Sequence, residues 1–180
     1  MPKTYNTFTD VSAGSVLTAS LYNDVLENIA NYRVPPTALA VRTTASAAYT
    51  LGTNISFESA TASGGHDTDG IWAAGSPTLL TIQTTGVYLI TFNGYVTMAS
   101  TGGVQTIVIM KGANSICETY LPNSGTNHLW SVAHVASLAA GDTLAFRHTN
   151  GGSGAATIYG GASNSNTQTR AGITWLGRVS

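Results

Sequence analysis

The residues best suited to metal chemistry lie in one short polar stretch, "GGHDTDG", which contains His66, Asp67 and Asp69. One imidazole and two carboxylates this close together could ligate a divalent cation, and oxygen donors favour calcium over zinc. The alternative is structural, because Asp side chains in such stretches accept hydrogen bonds from nearby backbone amides and stabilise turns. We favour the turn interpretation and predict that the protein holds no metal and no other cofactor.

The other candidates for catalysis are scattered along the chain. His128, His134 and His148 belong to no recognisable motif, and His134 is predicted to be interior or at a subunit interface. The nucleophile pattern Gly-x-Ser-x-Gly is absent, and the nearest approach to it surrounds Ser153 in a glycine-rich stretch. Cys117 lies in an alternating segment and is interpreted as a buried thiol. The sequence therefore predicts that the protein is not an enzyme.

Three tryptophans could form a platform on which sugar rings stack. Trp130 and Trp175 lie within alternating segments, however, where a large apolar ring is more often packed in a core or an interface. Trp72 follows a polar loop, and its position is left open. We favour packing over sugar binding for the first two.

Composition excludes several functional classes. Charged residues make up 8% of the 180 residues and the net charge is −1, whereas hydrophobic residues make up 43%. Without a run of Lys or Arg, neither nucleic acid nor an anionic membrane surface is expected as a partner. No apolar run approaches the roughly 20 residues of a membrane span, and the first residues do not resemble a signal peptide. So little charge indicates that much of the surface is covered in an oligomer.

Most of the chain shows the two-residue alternation of β-strands. Short runs rich in Val, Ile, Thr, Tyr and Trp are separated by Gly, Ser, Asn and Pro, which is typical of an antiparallel sandwich or barrel. The run "GVYLITFNGYVTM", residues 86–98, is apolar on both faces, and we predict a central strand there. The other predicted strands are "ALAVRT", "NISFESA", "TLLTIQ", "VQTIVIMKG", "SICETYL", "HLWSVAHVASL", "DTLAFRHT", "AATIYGG" and "AGITWLGRV".

The segment before this β-region has a different period. Apolar residues recur at helical spacing, which predicts an extended arm followed by one amphipathic helix over residues 19–31. The prolines at positions 35 and 36 end it. A helix this short is marginal alone in water, so its apolar side must dock on its own domain, a sister helix or a partner. The candidate anchor and partner-binding residues are Leu17, Leu21, Val25, Ile29 and Tyr32.

The order of several short motifs in the β-region resembles that of C1q/TNF-like jelly-roll domains. The resemblance covers about residues 38–180, and it divides the chain into an anchor, residues 1–36, and a jelly-roll domain, residues 37–180. It implies an antiparallel jelly-roll sandwich that forms homotrimers, here without a collagen-like stalk. The matching positions are Phe57, Trp72, Gly86 to Tyr88, Gly141 with Asp142, and Trp175.

The N-terminal stretch "FTDVSAGSVLTASLYNDVLENI", residues 8–29, is similar to segments that precede such domains in many bacteriophage virion proteins. This resemblance implies a structural protein of the virion, made in the host cytoplasm. It would be a homotrimeric capsid decoration or head-fibre protein attached by its arm and helix to the major capsid protein or another virion protein. The alternative is a tail-fibre or receptor-binding tip that recognises host surface glycans through its glycine-rich loops.

Overall fold

The alternating segments form β-strands in a computed structural model. The structure describes residues 34–44, 48–58, 65–98, 104–122, 127–150, 156–160 and 168–178, and the separate positions 22, 23, 25, 26 and 29. In these parts of the chain the strands are β1 (Thr37–Val41), β2 (Ala48–Tyr49), β3 (His66–Asp67), β4 (Leu80–Thr81), β5 (Gly86–Met98), β6 (Val104–Lys111), β7 (Asn114–Pro122), β8 (Asn127–Leu138), β9 (Thr143–Asn150), β10 (Ala156–Ile158) and β11 (Arg170–Gly177).

The strands pair into two antiparallel sheets. In the first sheet, β5 pairs with β8 along one edge, and along its other edge with β11 and then β10. The sheet continues from β11 to β1 and β3, and from β10 to β2. The second sheet has the order β4-β9-β6-β7. These two sheets confirm the predicted antiparallel sandwich.

Strand β5 occupies the central position that its two apolar faces predict. Tyr88, Ile90 and Phe92 are fully buried between the sheets, whereas the alternate residues, including Leu89 and Thr91, are half-buried on the other side. A strand that is paired on both edges and covered on one face buries more apolar surface than any edge strand. Its residues therefore form the centre of the core.

Aromatic rings join the two sheets. Phe92 of β5 stacks on Phe146 of β9 with ring centroids 5.3 Å apart, and Phe57 meets the same Phe146 ring edge-on at 6.0 Å. Such offset and edge-to-face arrangements are the favoured geometries for aromatic pairs. The core extends from this group to Trp130 and Trp175, which are both buried, so core packing is confirmed for these two tryptophans. Trp72 is half-buried at its margin.

The motif "GVY" at the start of β5 has a steric cause. A Cβ atom on Gly86 would lie 2.0 Å from Nε1 of Trp175 and 2.6 Å from the carbonyl oxygen of Gly177. The indole of the last strand therefore packs directly on the backbone of β5, which only glycine permits. Two positions of the C1q/TNF-like motif pattern, Gly86 and Trp175, are therefore in direct contact with each other.

The prediction of a regular strand at "NISFESA" is wrong. Residues 54–58 are described, but they form only one isolated bridge, from Asn54 to Arg147 of β9. Their amides bond to different parts of the chain: Ile55 to the Phe146 carbonyl, Phe57 to that of Pro77, and Glu58 to that of Val41. Because no single neighbouring strand accepts these bonds in succession, no ladder develops.

The sandwich has two distinct ends, which we call proximal and distal. At the proximal end β1 and β5 begin and β11 ends, and the Trp175 amide bonds to the carbonyl of Pro36. The anchor segment therefore enters the domain there. At the distal end β5 ends at Met98, β6 begins at Val104 and β9 ends at Asn150. The connections between β5 and β6, β7 and β8, and β9 and β10 leave from this end.

Candidate functional site

The candidate metal residues have separate structural roles. The Asp67 carboxylate accepts three backbone hydrogen bonds, from the amides of Asp69 at 3.2 Å, Ile71 at 3.0 Å and Trp72 at 2.9 Å. His66 Nε2 lies 3.1 Å from the hydroxyl of Thr37 on β1. The turn interpretation of Asp67 is therefore confirmed by its hydrogen bonds. Among the residues that the structure describes, no three His, Cys, Asp or Glu side chains are grouped as metal ligands.

Asp69 faces the interior rather than the loop surface. Its side chain is buried, and its Oδ2 accepts a hydrogen bond from the Thr84 hydroxyl at 3.0 Å. The Thr84 carbonyl in turn accepts a hydrogen bond from the hydroxyl of Tyr88, near the start of the central strand. Buried polar groups need hydrogen-bond partners, and these two hydrogen bonds supply them. Asp69 therefore connects the "DTDG" turn to β5.

The three other histidines lie on two strands. His128 and His134 are both on β8 and point toward the interior, where His128 is buried and His134 is half-buried. His148 on β9 is fully buried, and its Nε2 is hydrogen-bonded to Oε1 of Gln105 on β6. Burial away from water, with a contribution from nearby His128, lowers the pKa of His148 to about 4. His148 is therefore a neutral side chain at physiological pH.

The chain has one thiol, which lies on a strand of the second sheet. Cys117 on β7 is free and half-buried, and it packs against the main core. The prediction of a buried thiol is therefore only partly correct. The Glu118 carboxylate accepts the hydroxyl of Tyr120, and this bond lowers the pKa of Glu118.

The most unusual surface is the outer face of the first sheet. We use this name for the side chains of β5, β8 and β11 that point away from the second sheet. On these three fully described strands Arg170 is the one charged side chain among them. The outer face consists of Val87, Leu89, Thr91, Asn93, Tyr95, Thr97, Asn127, Leu129, Ser131, Ala133, Val135, Ser137, Arg170, Gly172, Thr174 and Leu176.

Large apolar side chains on this face are open to solvent in the single chain. Leu129 is 67% exposed, Val135 is 53% exposed and Leu176 is 54% exposed. Val135 pairs directly across from Leu89, which pairs on its other side with Thr174. Single exposed apolar residues are common, but a row of them on an uncharged sheet indicates an interaction surface.

The described part of the N-terminal segment is helical. Positions 22, 23, 25, 26 and 29 all have helical backbone, within the range predicted for the helix. Tyr22 is 52% exposed, Leu26 and Ile29 are each 46% exposed, and Val25 is half-buried. The other anchor candidates, Leu17, Leu21 and Tyr32, lie outside the described residues. No described helix is long and apolar enough to cross a membrane.

Sequence reasoning missed two features of this domain. It assigned both faces of β5 to apolar packing but did not identify Leu129 and Val135 as exposed on the neighbouring strand. The alternation in "HLWSVAHVASL" carried that signal, because Leu129 and Val135 share one face and Trp130 lies on the other. The buried bond between Gln105 and His148 had no sequence signal, since it depends on the register of β6 against β9.

Comparison with known proteins identifies the fold but not a close relative. No family model matches the chain, and no curated protein matches it in sequence. The globular domain of zebrafish complement 1qA protein superimposes with a TM-score of 0.59 at 14% identity, over 80% of this chain and 99% of that chain. The Eiger TNF structure from S. frugiperda gives 0.54 at 15% identity, over 81% and 96%. The chain therefore has the C1q/TNF-like jelly-roll fold that its motif order predicts.

Proposed function

We propose that this protein is a homotrimeric structural protein of a bacteriophage virion, of the capsid decoration or head-fibre type. The observation that carries the proposal is the outer face of the first sheet, which is almost uncharged and exposes large apolar side chains. A second copy of the same chain is the partner that such a face fits, because the low charge extends over the whole sequence. The protein is proposed to act by assembly and not by catalysis.

Self-association through the outer face is supported by its composition and position. Leu89 and Val135 adjoin across the β5–β8 pairing, and Leu176 lies at the same, proximal end of the face. Contiguous apolar surface of this kind gains free energy in proportion to the area removed from water. Side chains such as Ser131 and Thr174 add neutral hydrogen-bonding groups without the desolvation cost of a charge.

Attachment through the N-terminal segment is supported by geometry as well as by resemblance. The chain enters the domain at the proximal end, where β1 begins, and the helical segment precedes this point in the sequence. Tyr22, Leu26 and Ile29 of the helical segment expose apolar side chains to solvent. In a trimer three such segments bind together, which raises the total affinity without requiring strong individual contacts. The major capsid protein or another virion protein is the proposed partner.

A charge placed on the outer face tests self-association. Val135→Glu introduces a carboxylate at a half-exposed position that the single chain tolerates. Val104→Glu is the matched control, because Val104 is 45% exposed on the second sheet. In sedimentation velocity at micromolar concentration, we expect a trimer for the wild type and for Val104→Glu, and a monomer for Val135→Glu. A monomeric wild type contradicts the trimer, and a trimeric Val135→Glu contradicts the choice of face.

Immunogold labelling of phage particles tests the location. Antibody raised against residues 38–180 should label the head if the protein is a decoration or head-fibre protein. Deletion of residues 4–36 should then abolish binding to the capsid while leaving the trimer intact. Capsid binding by the deletion variant contradicts the anchor proposal.

The alternative function is a tail-fibre or receptor-binding tip, and one observation favours it. The connections between β5 and β6 and between β9 and β10 leave from the distal end, opposite the anchor. Loops in that position suit recognition of host surface glycans. Replacement of residues 150–156, in the distal β9–β10 connection, and of the glycine-rich residues 160–169 between β10 and β11 should abolish adsorption to host cells if this function is correct, and the antibody should label the tail. Unchanged adsorption with label on the head contradicts it.

A further inference from the structure

Polar side chains from both sheets meet inside the sandwich near its distal end. Gln105 on β6 and His148 on β9 come from the second sheet, and His128 and Trp130 on β8 come from the first. All four are buried. Tyr49 on β2 closes the group from the side, with its ring centroid 6.3 Å from that of His148. We call these five residues the distal polar cluster.

The hydrogen bonds of this cluster suit a neutral His148. In the neutral ring, Nε2 carries the proton and donates it to Oε1 of Gln105. The other ring nitrogen, Nδ1, is buried and has no hydrogen-bond partner in the described part of the structure. A second proton would need an acceptor at Nδ1. The indole of Trp130, whose ring centroid lies 6.1 Å away, offers only an N–H donor.

The described ionisable groups that face His148 provide no negative charge to balance a proton there. The nearest are the imidazole of His128 on β8 and the phenol of Tyr49 on β2. The Tyr49 hydroxyl accepts the backbone amide of His148, and burial raises its pKa, so it is neutral as well. Arg147, the residue before His148 on β9, points to the opposite side of the strand and donates a hydrogen bond to Asn54. No described carboxylate bonds to His148.

At the distal end the central strand β5 has only short neighbours on its edge opposite β8. There the edge of β5 opposite β8 pairs with β10, which has three residues, and β10 pairs with β2, which has two. Near the proximal end the same edge of β5 pairs with the eight-residue β11. Short strands with few ladder bonds open at a lower free energy than long ones.

We propose that the distal polar cluster is an acid-sensitive contact: when His148 takes up a proton, the two sheets separate at the distal end while the proximal end stays closed. The proton binds at Nδ1, and the resulting cation is hydrated only when the distal strands move apart. The connections that leave this end are thereby coupled to pH. The inference is independent of the virion role, because it concerns the interior of a single domain.

Thermal unfolding of the full-length chain between pH 7.5 and pH 5 tests the proposal. The folded-state pKa of about 4 lies below the unfolded value of 6.5, so stability is complete above pH 6.5 and is lost as the pH falls toward 4. For His148 alone the folding equilibrium constant should fall about thirtyfold at pH 5. His148→Leu should lose this component. The control His66→Leu, which removes an exposed imidazole, should retain it. A His148→Leu profile with the wild-type slope overturns the proposal.

Two measurements on the wild type keep the test independent of how the variant folds. Imidazole NMR should show His148 neutral with the proton on Nε2 at pH 5.5, and a titration midpoint at or above 6.5 overturns the proposal. Hydrogen exchange, corrected for the intrinsic rate, should accelerate on acidification in residues 96–98 and 156–158 more than in residues 86–90. Equal acceleration at both ends refutes opening confined to the distal end.

Discussion

Removal of the Asp67 carboxylate should destabilise the domain more than the loss of a half-buried side chain usually does. Its two oxygens accept hydrogen bonds from the backbone amides of Asp69, Ile71 and Trp72, and the Ile71 side chain is buried. Each hydrogen bond to a charged group contributes about 1.5–3 kcal/mol. Because the three bonds share one half-exposed carboxylate, their contributions are less than additive, and we expect Asp67→Ala to lower the free energy of unfolding by about 3 kcal/mol.

Equilibrium unfolding in urea, at one fixed protein concentration, measures this loss. Asp67→Asn should be intermediate, because it retains one acceptor oxygen but presents an N–H group to the amide of Trp72. His66→Ala is the neighbouring control and should cost less than about 1 kcal/mol, since the His66 imidazole is exposed and its hydrogen bond to Thr37 is at the surface. A loss below about 1 kcal/mol for Asp67→Ala would refute the turn-capping argument.

Calcium provides the second arm of the same experiment. If Asp67 caps a turn with its lone pairs already engaged, millimolar calcium or EDTA should leave the melting temperature of the wild type unchanged. A bound cation would raise it, because a ligand that binds only the folded state stabilises that state by mass action. A calcium-dependent increase that disappears in Asp67→Ala would establish the metal site that the residue types alone permit.

Three further changes test the packing and the titration of the core. Gly86→Ala should cost about 1–3 kcal/mol in urea unfolding, because its Cβ meets the Trp175 indole, whereas Gly75→Ala, where a Cβ meets nothing within 4 Å, should be neutral. Phe92→Ala should cost about 3–5 kcal/mol and shift the same unfolding midpoint, since the ring is fully buried. Burial raises the pKa of Tyr49 above 10.0, so its contribution to stability is present below pH 10 and is lost at higher pH. Alkaline absorbance titration of Tyr49→Phe should lack this late-titrating phenol.

The parts of the fold that sequence predicted are those encoded by local alternation. The thirteen residues of β5 alternate without interruption, so the strand, its two faces and its central place follow from the pattern alone. Residues 54–58 alternate equally well but lack a continuous partner strand, and this depends on residues far away in the chain. The turn role of Asp67 was predictable because the backbone amides that donate to its carboxylate lie within five residues of it.

The distal polar cluster shows the limit of such reasoning. Gln105 and His148 are 43 residues apart, and they meet because β6 and β9 pair in one particular register. Each residue alone resembles an ordinary polar position in a strand. A shift of the register by one residue would put the two side chains on opposite faces of the sheet. No local pattern specifies that register, so the sequence alone gave no indication of the pair.

The pairing of β1 with β11 also has a consequence for synthesis. Thr37 lies opposite Thr174, so the first sheet joins residues 137 positions apart in the chain. Contacts at such separation slow folding, because most of the chain must be ordered before they can form. β11 also contributes to the outer face, so that face is incomplete until residues 170–177 have left the ribosome. Any association through this face therefore has to wait until β11 has been made and has paired with β5.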